Sequence, residues 1–313
     1  MEKVFDDIST REAFGAALGQ LAHENKDLMY IAADTLKSVG GKEIHKSYPD
    51  RALNVGISEQ NMILMAAGMA ASGAKVFAAT YAAFASMRIC EQIRTFVAYP
   101  GLDVKIAAGL GGLSGGIEGV THQGTEDIGM MRVIPGMAVV CAADAASTVK
   151  ITRVIAEYEG PVYLRLGRDP SPKVFDENYK FELGKANILR PSGRVTLLGY
   201  GSCIGRCLLA ARLLEESGIS CGVIETPSLK PFDKEAVIKA AEKSELLATV
   251  EDHNIIGGLG SIVLETLAEA GTGTKCIRMG LKDEFGTSGN CEELLDYYGM
   301  SPENICRTIK EQL

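Results

Sequence analysis

What is scarce in this sequence narrows its chemistry before any motif is considered. No run of lysines and arginines occurs and the formal net charge is −8, so a nucleic-acid surface is not expected. No apolar stretch reaches the ~18 residues that a membrane-spanning helix needs. The opening MEKVFDDIS is polar and acidic. It has neither a basic start nor an apolar core, so no secretory signal is expected. The eight cysteines, at 90, 141, 203, 207, 221, 276, 291 and 306, include no CxxC pair, and no histidine cluster accompanies them. Only Cys203 and Cys207 are close, at helical i, i+4. They read as reduced, buried thiols of a cytoplasmic protein rather than metal ligands or disulfides. No acidic metal cage and no phosphate-cradling P-loop are visible, and there is no internal repeat or low-complexity tract.

What is present is the material for two domains. The chain has 313 residues, of which 46% are hydrophobic, enough for ordinary buried cores. Ser9-Thr-Arg-Glu12 has the form of a capping box opening a helix to about His23. Extended runs are expected at Leu28–Ala33, Ala52–Val55, Lys75–Thr80, Val104–Ala108, Met137–Ala142 and Pro161–Leu166. Between them lie helical patterns to Ala71, over Tyr81–Tyr99 and over Ala145–Glu157. Alternating strands and helices imply βα units and a mostly parallel sheet. Residues 109–119 (GLGGLSGGIEG) are too rich in glycine for a regular element and imply a close backbone approach. Residues 168–192 are polar and carry Pro170, Pro172 and Pro191, the signature of a linker. A second α/β pattern follows, with strands at Val195–Leu198, Cys221–Ile224, Leu246–Val250 and Cys276–Met279. Its helices fall at Cys203–Ser217, Lys234–Lys243, Gly260–Ala270 and Cys291–Tyr298. The expected division is residues 1–169, linker 170–192, and residues 193–313: an α/β chain of two doubly wound sheet domains. Gly199-Tyr-Gly-Ser-Cys-Ile-Gly205 looks like a dinucleotide fingerprint with Ile204 in place of the third glycine, and reads as a plain tight turn.

One stretch organises the rest: RALNVGISEQNMILMAAGMAA, residues 51–71. An extended piece turns at Gly56. Ser58 stands at the cap of a helix whose Met62, Met65, Ala66 and Met69 recur at helical spacing. This puts the carboxylate of Glu59 in the first turn of an apolar helix, where an acid also simply favours the helix dipole. Tyr81 and Phe84, at i, i+3, share a helix face, as core-packing residues do.

Five features occur in a fixed order: Asp34 at a strand end, GISEQNM around Glu59, Thr80-Tyr-Ala-Ala-Phe84, GIEGVTHQ ending at Gln123, and Leu164-Arg-Leu-Gly-Arg168. Together they resemble the pyrimidine-binding domain of transketolases. The strings IETPSLKPFD and VEDHNIIGGLGS resemble the transketolase C-terminal domain. The resemblance spans nearly the whole chain, with one large departure. Single-chain transketolases carry an additional N-terminal domain that holds the diphosphate of thiamine diphosphate (ThDP) and a divalent metal. Its Gly-Asp-Gly signature is missing, and no Gly-Asp dipeptide occurs here. The resemblance therefore implies the C-terminal subunit of a split transketolase, with ThDP and Mg²⁺ held mainly by a separate N-terminal subunit in an α2β2 assembly. No metal ligands are implied in this chain.

The resemblance also implies roles for particular residues. Glu59 is matched to the glutamate that engages the aminopyrimidine of ThDP. Tyr81 and Phe84 hold that ring, Met87 continues their face, and Asp34 lies near the thiazolium, though a structural strand-end aspartate fits equally. His122 is matched to a contact with the donor's carbonyl and hydroxyl, where the bare sequence allows a loop-bracing histidine. Glu118 replaces an aspartate that recognises a substrate hydroxyl. Arg11, Ser38 and Arg168 match positions that grip a sugar phosphate, for which the planar guanidinium is suited. Leu110 stands where transketolases place a phosphate-contacting histidine. His253 is read as structural or at a subunit contact. The implied reaction is transfer of a two-carbon ketol unit from a ketose phosphate to an aldose phosphate, in the manner of the pentose phosphate pathway. Neighbouring readings are a 1-deoxyxylulose-5-phosphate synthase, the β subunit of a 2-oxo-acid dehydrogenase, and a non-catalytic scaffold of a ThDP enzyme.

Overall fold

The computed structural model describes residues 8–313, so the acidic opening over residues 1–7 lies outside the described residues. Among the described residues, twelve strands form two sheets. They are β1 (Leu28–Ala32), β2 (Ala52–Asn54), β3 (Lys75–Tyr81), β4 (Val104–Gly109), β5 (Ala138–Cys141), β6 (Val162–Arg165), β7 (Asn187–Arg190), β8 (Val195–Gly199), β9 (Cys221–Glu225), β10 (Ser228–Lys230), β11 (Leu246–Asn254) and β12 (Lys275–Leu281). The first sheet runs β10-β5-β6-β4-β3-β1-β2 and the second β12-β11-β8-β9-β7. These strands all pair in parallel except β10 with β5 and β7 with β9. The architecture is mixed α/β with two mostly parallel sheets.

The near-continuous apolar strands follow from burial on both faces, as parallel sheets require. Along β3, Val76 and Ala78 enter one core while Phe77 and Ala79 enter another, the period of two that a pleated strand imposes. The first of these cores is shared by the two sheets: Met62, Ile128 and Tyr163 pack with Leu198, Ile224, Leu247 and Val263. A third core lies between the second sheet and the helices Cys203–Glu216 and Pro302–Gln312.

The structure departs from the sequence pattern in several places. The capping box at Ser9 forms, with Glu12 accepting from the Ser9 backbone N–H at 3.0 Å. Ser58 occupies the cap position of the helix Glu59–Ala71, but its side chain makes no capping bond. The tract 168–192 is not linker throughout, because β7 pairs with β9 and Tyr179 and Phe181 are buried. The chain after Tyr81 is not one regular helix. Wide π-type turns at Phe84–Arg88 and Ile93–Ala98 flank Cys90–Gln92. The glycine loop makes its close approach to the chain itself. Gly112, at φ +61, leaves no room for a side chain against Asp252, and Gly115 none against the His122 carbonyl. The cysteines are all free, Cys90 and Cys276 half-buried and the others buried. No helix among the described residues is long and apolar enough to cross a membrane.

The two halves are tied by one buried arginine. Arg165, at the end of β6, places Nε 3.0 Å from Asp127 and Nη1 2.6 Å from Asp252. Its Nη2 donates to the carbonyls of Gly124 and Asp252 at 3.1 and 3.0 Å. Tyr163 donates its hydroxyl to Asp127 at 2.8 Å. Burial opposes the charge on Arg165, but the two facing aspartates outweigh it and push the guanidinium up. His253 bridges the halves as well. Its Nε2 accepts from the Gly129 N–H at 3.3 Å while Nδ1 lies 2.6 Å from its neighbour's carbonyl, and burial pushes it down, so it is a neutral structural group.

Two consequences are measurable. Arg165→Ala strands Asp127 and Asp252 in the interior, and loss of one side of a buried ion pair costs about 3–5 kcal/mol. Urea unfolding should show that loss. Glu225, buried at the end of β9, accepts from Tyr179 and from Asn187 at 2.8 Å, and burial pushes it up to about 8. The folded carboxyl keeps its proton to about pH 8 whereas the unfolded one ionises near 4.5. Stability is therefore lost as pH rises through that window, at up to ~1.4 kcal/mol per pH unit. Glu225→Gln should flatten the decline in urea midpoint between about pH 5 and 8.

Candidate active site

The C-terminal ends of β1, β2, β3 and β4 and the chain that follows each carry Asp34, Glu59, Tyr81, Phe84 and His122. Asp34 follows β1 in a left-handed conformation, φ +59, and is exposed. Its N–H donates to Asn54 Oδ1 at 2.9 Å, and the same oxygen accepts from Gly56 N–H at 3.1 Å. Asn54 thus joins the turn at Asp34 to the turn that delivers Glu59. A short polar side chain two residues before a positive-φ glycine is the available sequence signal for it.

Glu59 is the first residue of its helix and is 3% exposed. Tyr81, at the end of β3, and Phe84, in the first wide turn, have ring centroids 5.8 Å apart. The His122 ring is 5.6 Å from Tyr81 and 5.2 Å from Phe84, edge-on to the latter. Three rings from two distant segments therefore form one cluster. His122 Nδ1 lies 2.9 Å from the Thr121 hydroxyl. Met87 is 48% exposed. The next residue, Arg88, carries its guanidinium 4.3 Å from the Phe84 centroid and reaches Glu59 Oε1 at 2.5 Å. Arg88 closes the π-type turn Phe84–Arg88 at an ordinary helical spacing from Phe84, and what the sequence does not carry is its reach to Glu59 on another helix. Such π-type turns are frequent at functional sites.

The remaining residues flank this cluster. Tyr81 donates its hydroxyl to Ser38 Oγ at 3.2 Å, and Arg11 donates to the Ser38 carbonyl at 3.2 Å. The Nε of Arg11 is buried and without a partner. Arg11, Lys37, Ser38 and Lys42 line one side pocket. Arg168 is ion-paired with Glu118. Burial pushes neighbouring Asp169 up, against the pull of Arg168 and Arg11. Leu110 is 2% exposed with φ +57 and offers no polar group.

An aromatic platform beside a buried carboxylate at a helix start fits a flat heteroaromatic ring bearing a hydrogen-bonding nitrogen. Among the described residues, no group of three or more His, Cys, Asp or Glu is placed to hold a metal. Two family models account for almost the whole chain: the transketolase pyrimidine-binding domain over residues 6–173, and the transketolase C-terminal domain over 184–305. The chain belongs to the transketolase family. It is 41% identical over 305 residues to a putative transketolase C-terminal section from Methanocaldococcus jannaschii, covering 97% of this chain and 96% of that protein. It is 37% identical over 305 residues to one of the subunits of an apulose-4-phosphate transketolase from Phocaeicola vulgatus, covering 97% of each. A solved split-gene transketolase, described as an inactive β4 tetramer, superposes with a TM-score of 0.89 at 40% identity, over 97% of this chain and 98% of that one. These three relatives are transketolase sections or subunits whose length it matches, and a thiamine-dependent transferase family is the setting of the site.

Proposed function

We propose that this chain is the C-terminal subunit of a split, ThDP-dependent transketolase. The observation that carries the reading is the buried carboxylate of Glu59, joined through Arg88 to the ring cluster of Tyr81, Phe84 and His122. ThDP, when bound, supplies the nucleophilic carbon for ketol transfer. Tyr81 and Phe84 hold its aminopyrimidine ring, with Asp34 and Met87 at the margins. Glu59 hydrogen-bonds the ring nitrogen from a helix start that fixes its position. His122 orients the donor's carbonyl and its neighbouring hydroxyl, and Glu118 reads the hydroxyl beyond. Arg11, Ser38 and Arg168 receive the anionic end of the sugar.

The diphosphate and a divalent metal such as Mg²⁺ belong in this reading to a separate N-terminal subunit, in an α2β2 assembly. Its support is the split-subunit description carried by several relatives of matching length. Exposed Ile57, Leu64 and Met65 next to Glu59 offer that partner an apolar face. The substrate is a ketose phosphate, and departures at Leu110 and Glu118 leave room for one other than the common pentose phosphates. A relative named for apulose 4-phosphate is consistent with that breadth.

Ketol transfer should appear only when the chain is combined with its partner, ThDP and Mg²⁺. A panel of ketose phosphates would identify the donor. In that complex Glu59→Gln should lower kcat by ~10²–10⁴; full activity would remove Glu59 from the chemistry. Arg168→Ala should raise KM for phosphorylated sugars far more than for an unphosphorylated ketol donor, and an equal rise for both would place the anion elsewhere.

A further inference from the structure

Arg88 sits where the proposed site must receive its ring. Its Nη1 lies 2.5 Å from Glu59 Oε1, and its guanidinium covers Phe84 at 4.3 Å from the centroid. The two partners differ sharply in exposure: Glu59 is 3% exposed and the Arg88 side chain 45%. One end of the ion pair is fixed in the wall while the other belongs to a long side chain open to solvent. The pocket in front of Glu59 is lined by Ile57, Ser58, Gln60 and Arg88, so Arg88 is the cation at its mouth.

A heteroaromatic ring that stacks on Phe84 and hydrogen-bonds Glu59 needs the two surfaces that Arg88 covers. A guanidinium is itself flat, stacks on aromatic faces and donates to carboxylates. It therefore imitates both contacts the ring would make. We propose that Arg88 is a latch on the pyrimidine subsite: it pairs with Glu59 and covers Phe84 until the aminopyrimidine binds, then swings outward and yields both. This rests on the cofactor reading given above. The latch keeps the buried carboxylate paired in the cofactor-free chain. It also lowers the apparent cofactor affinity by the fraction of time it is closed.

The test is calorimetric titration of ThDP, at fixed Mg²⁺, into the complex with the partner subunit. The proteins are the unaltered chain, Arg88→Met, Arg88→Lys, Glu59→Gln and the Glu59→Gln/Arg88→Met double variant, each checked by circular dichroism for native structure. Arg88→Met should bind roughly 3–10-fold tighter, the range expected for release of one partly exposed ion pair. Arg88→Lys keeps a cation for Glu59 and should stay near the unaltered chain. In the Glu59→Gln background the gain from Arg88→Met should shrink, since the two residues act through one contact. If Arg88→Met binds equally or more weakly while Glu59→Gln weakens binding, the latch is overturned and the cofactor reading stands. If the unaltered complex binds no ThDP, the cofactor reading fails and the latch fails with it.

Discussion

The structure depends on one buried positive charge. Arg165 leaves the end of β6, passes beneath the glycine loop and ends on Asp252 of the second half. Around it are Asp127, Tyr163 and the Gly124 carbonyl, so its fixed fork of donors is matched on several sides. A charge this deep is tolerated only with such company. The arrangement fixes where Asp252 lies, and Asp252 in turn forbids a side chain at residue 112. The glycine loop and the His122 segment that follows it therefore take their place from a residue some forty positions away, and the ring cluster depends on that placement. The position of His122 beside Phe84 is thus a property of the packed pair of sheets rather than of its own loop.

Much of this is legible in the sequence, and the parts that are not share a physical cause. The parallel strands announce themselves because each is apolar on both faces, and the first helix because Ser9 and Glu12 cap it reciprocally. Glu59, Tyr81, Phe84 and His122 are found from local strings; the three rings cluster, and Arg88 links Glu59 to Phe84. Arg88 escapes because its partner Glu59 is 29 residues away on another helix, so local spacing carries no sign of the pair. Strands β7 and β10 escape because their pairing is long-range. Ser228–Lys230 is an ordinary tripeptide until β5 presents an edge to it. The helix Pro302–Gln312 is different: it carries a readable start, Ser301 followed by proline, which the strand-and-helix pattern drawn from the sequence leaves out.

The side that carries Arg11, Ser38, Glu118 and Arg168, proposed above to receive an anion, differs in character from the ring cluster. There most polar groups are already engaged, Arg168 with Glu118 and both Tyr81 and one terminal nitrogen of Arg11 with Ser38, while the buried Arg11 Nε has no partner. An anion arriving there, as proposed above, would find one unpartnered donor in Arg11 Nε and would otherwise exchange contacts. Glu118 is ion-paired with Arg168, so the roles proposed for them, reading a hydroxyl and gripping an anion, are not independent. Leu110 adds no polar group that could decouple them.

Strand β10 carries a last consequence. It lies beyond the second half's first strands in the chain, yet it pairs with β5 and finishes the edge of the first sheet. During synthesis the first sheet thus remains unfinished until residues past 230 have emerged, long after its other strands are available. Until then β5 offers an open row of amides to any neighbouring chain, the situation in which nascent sheets pair wrongly. The two halves are consequently a single unit of biogenesis, and a ribosome pausing between them would expose the edge that the finished molecule hides.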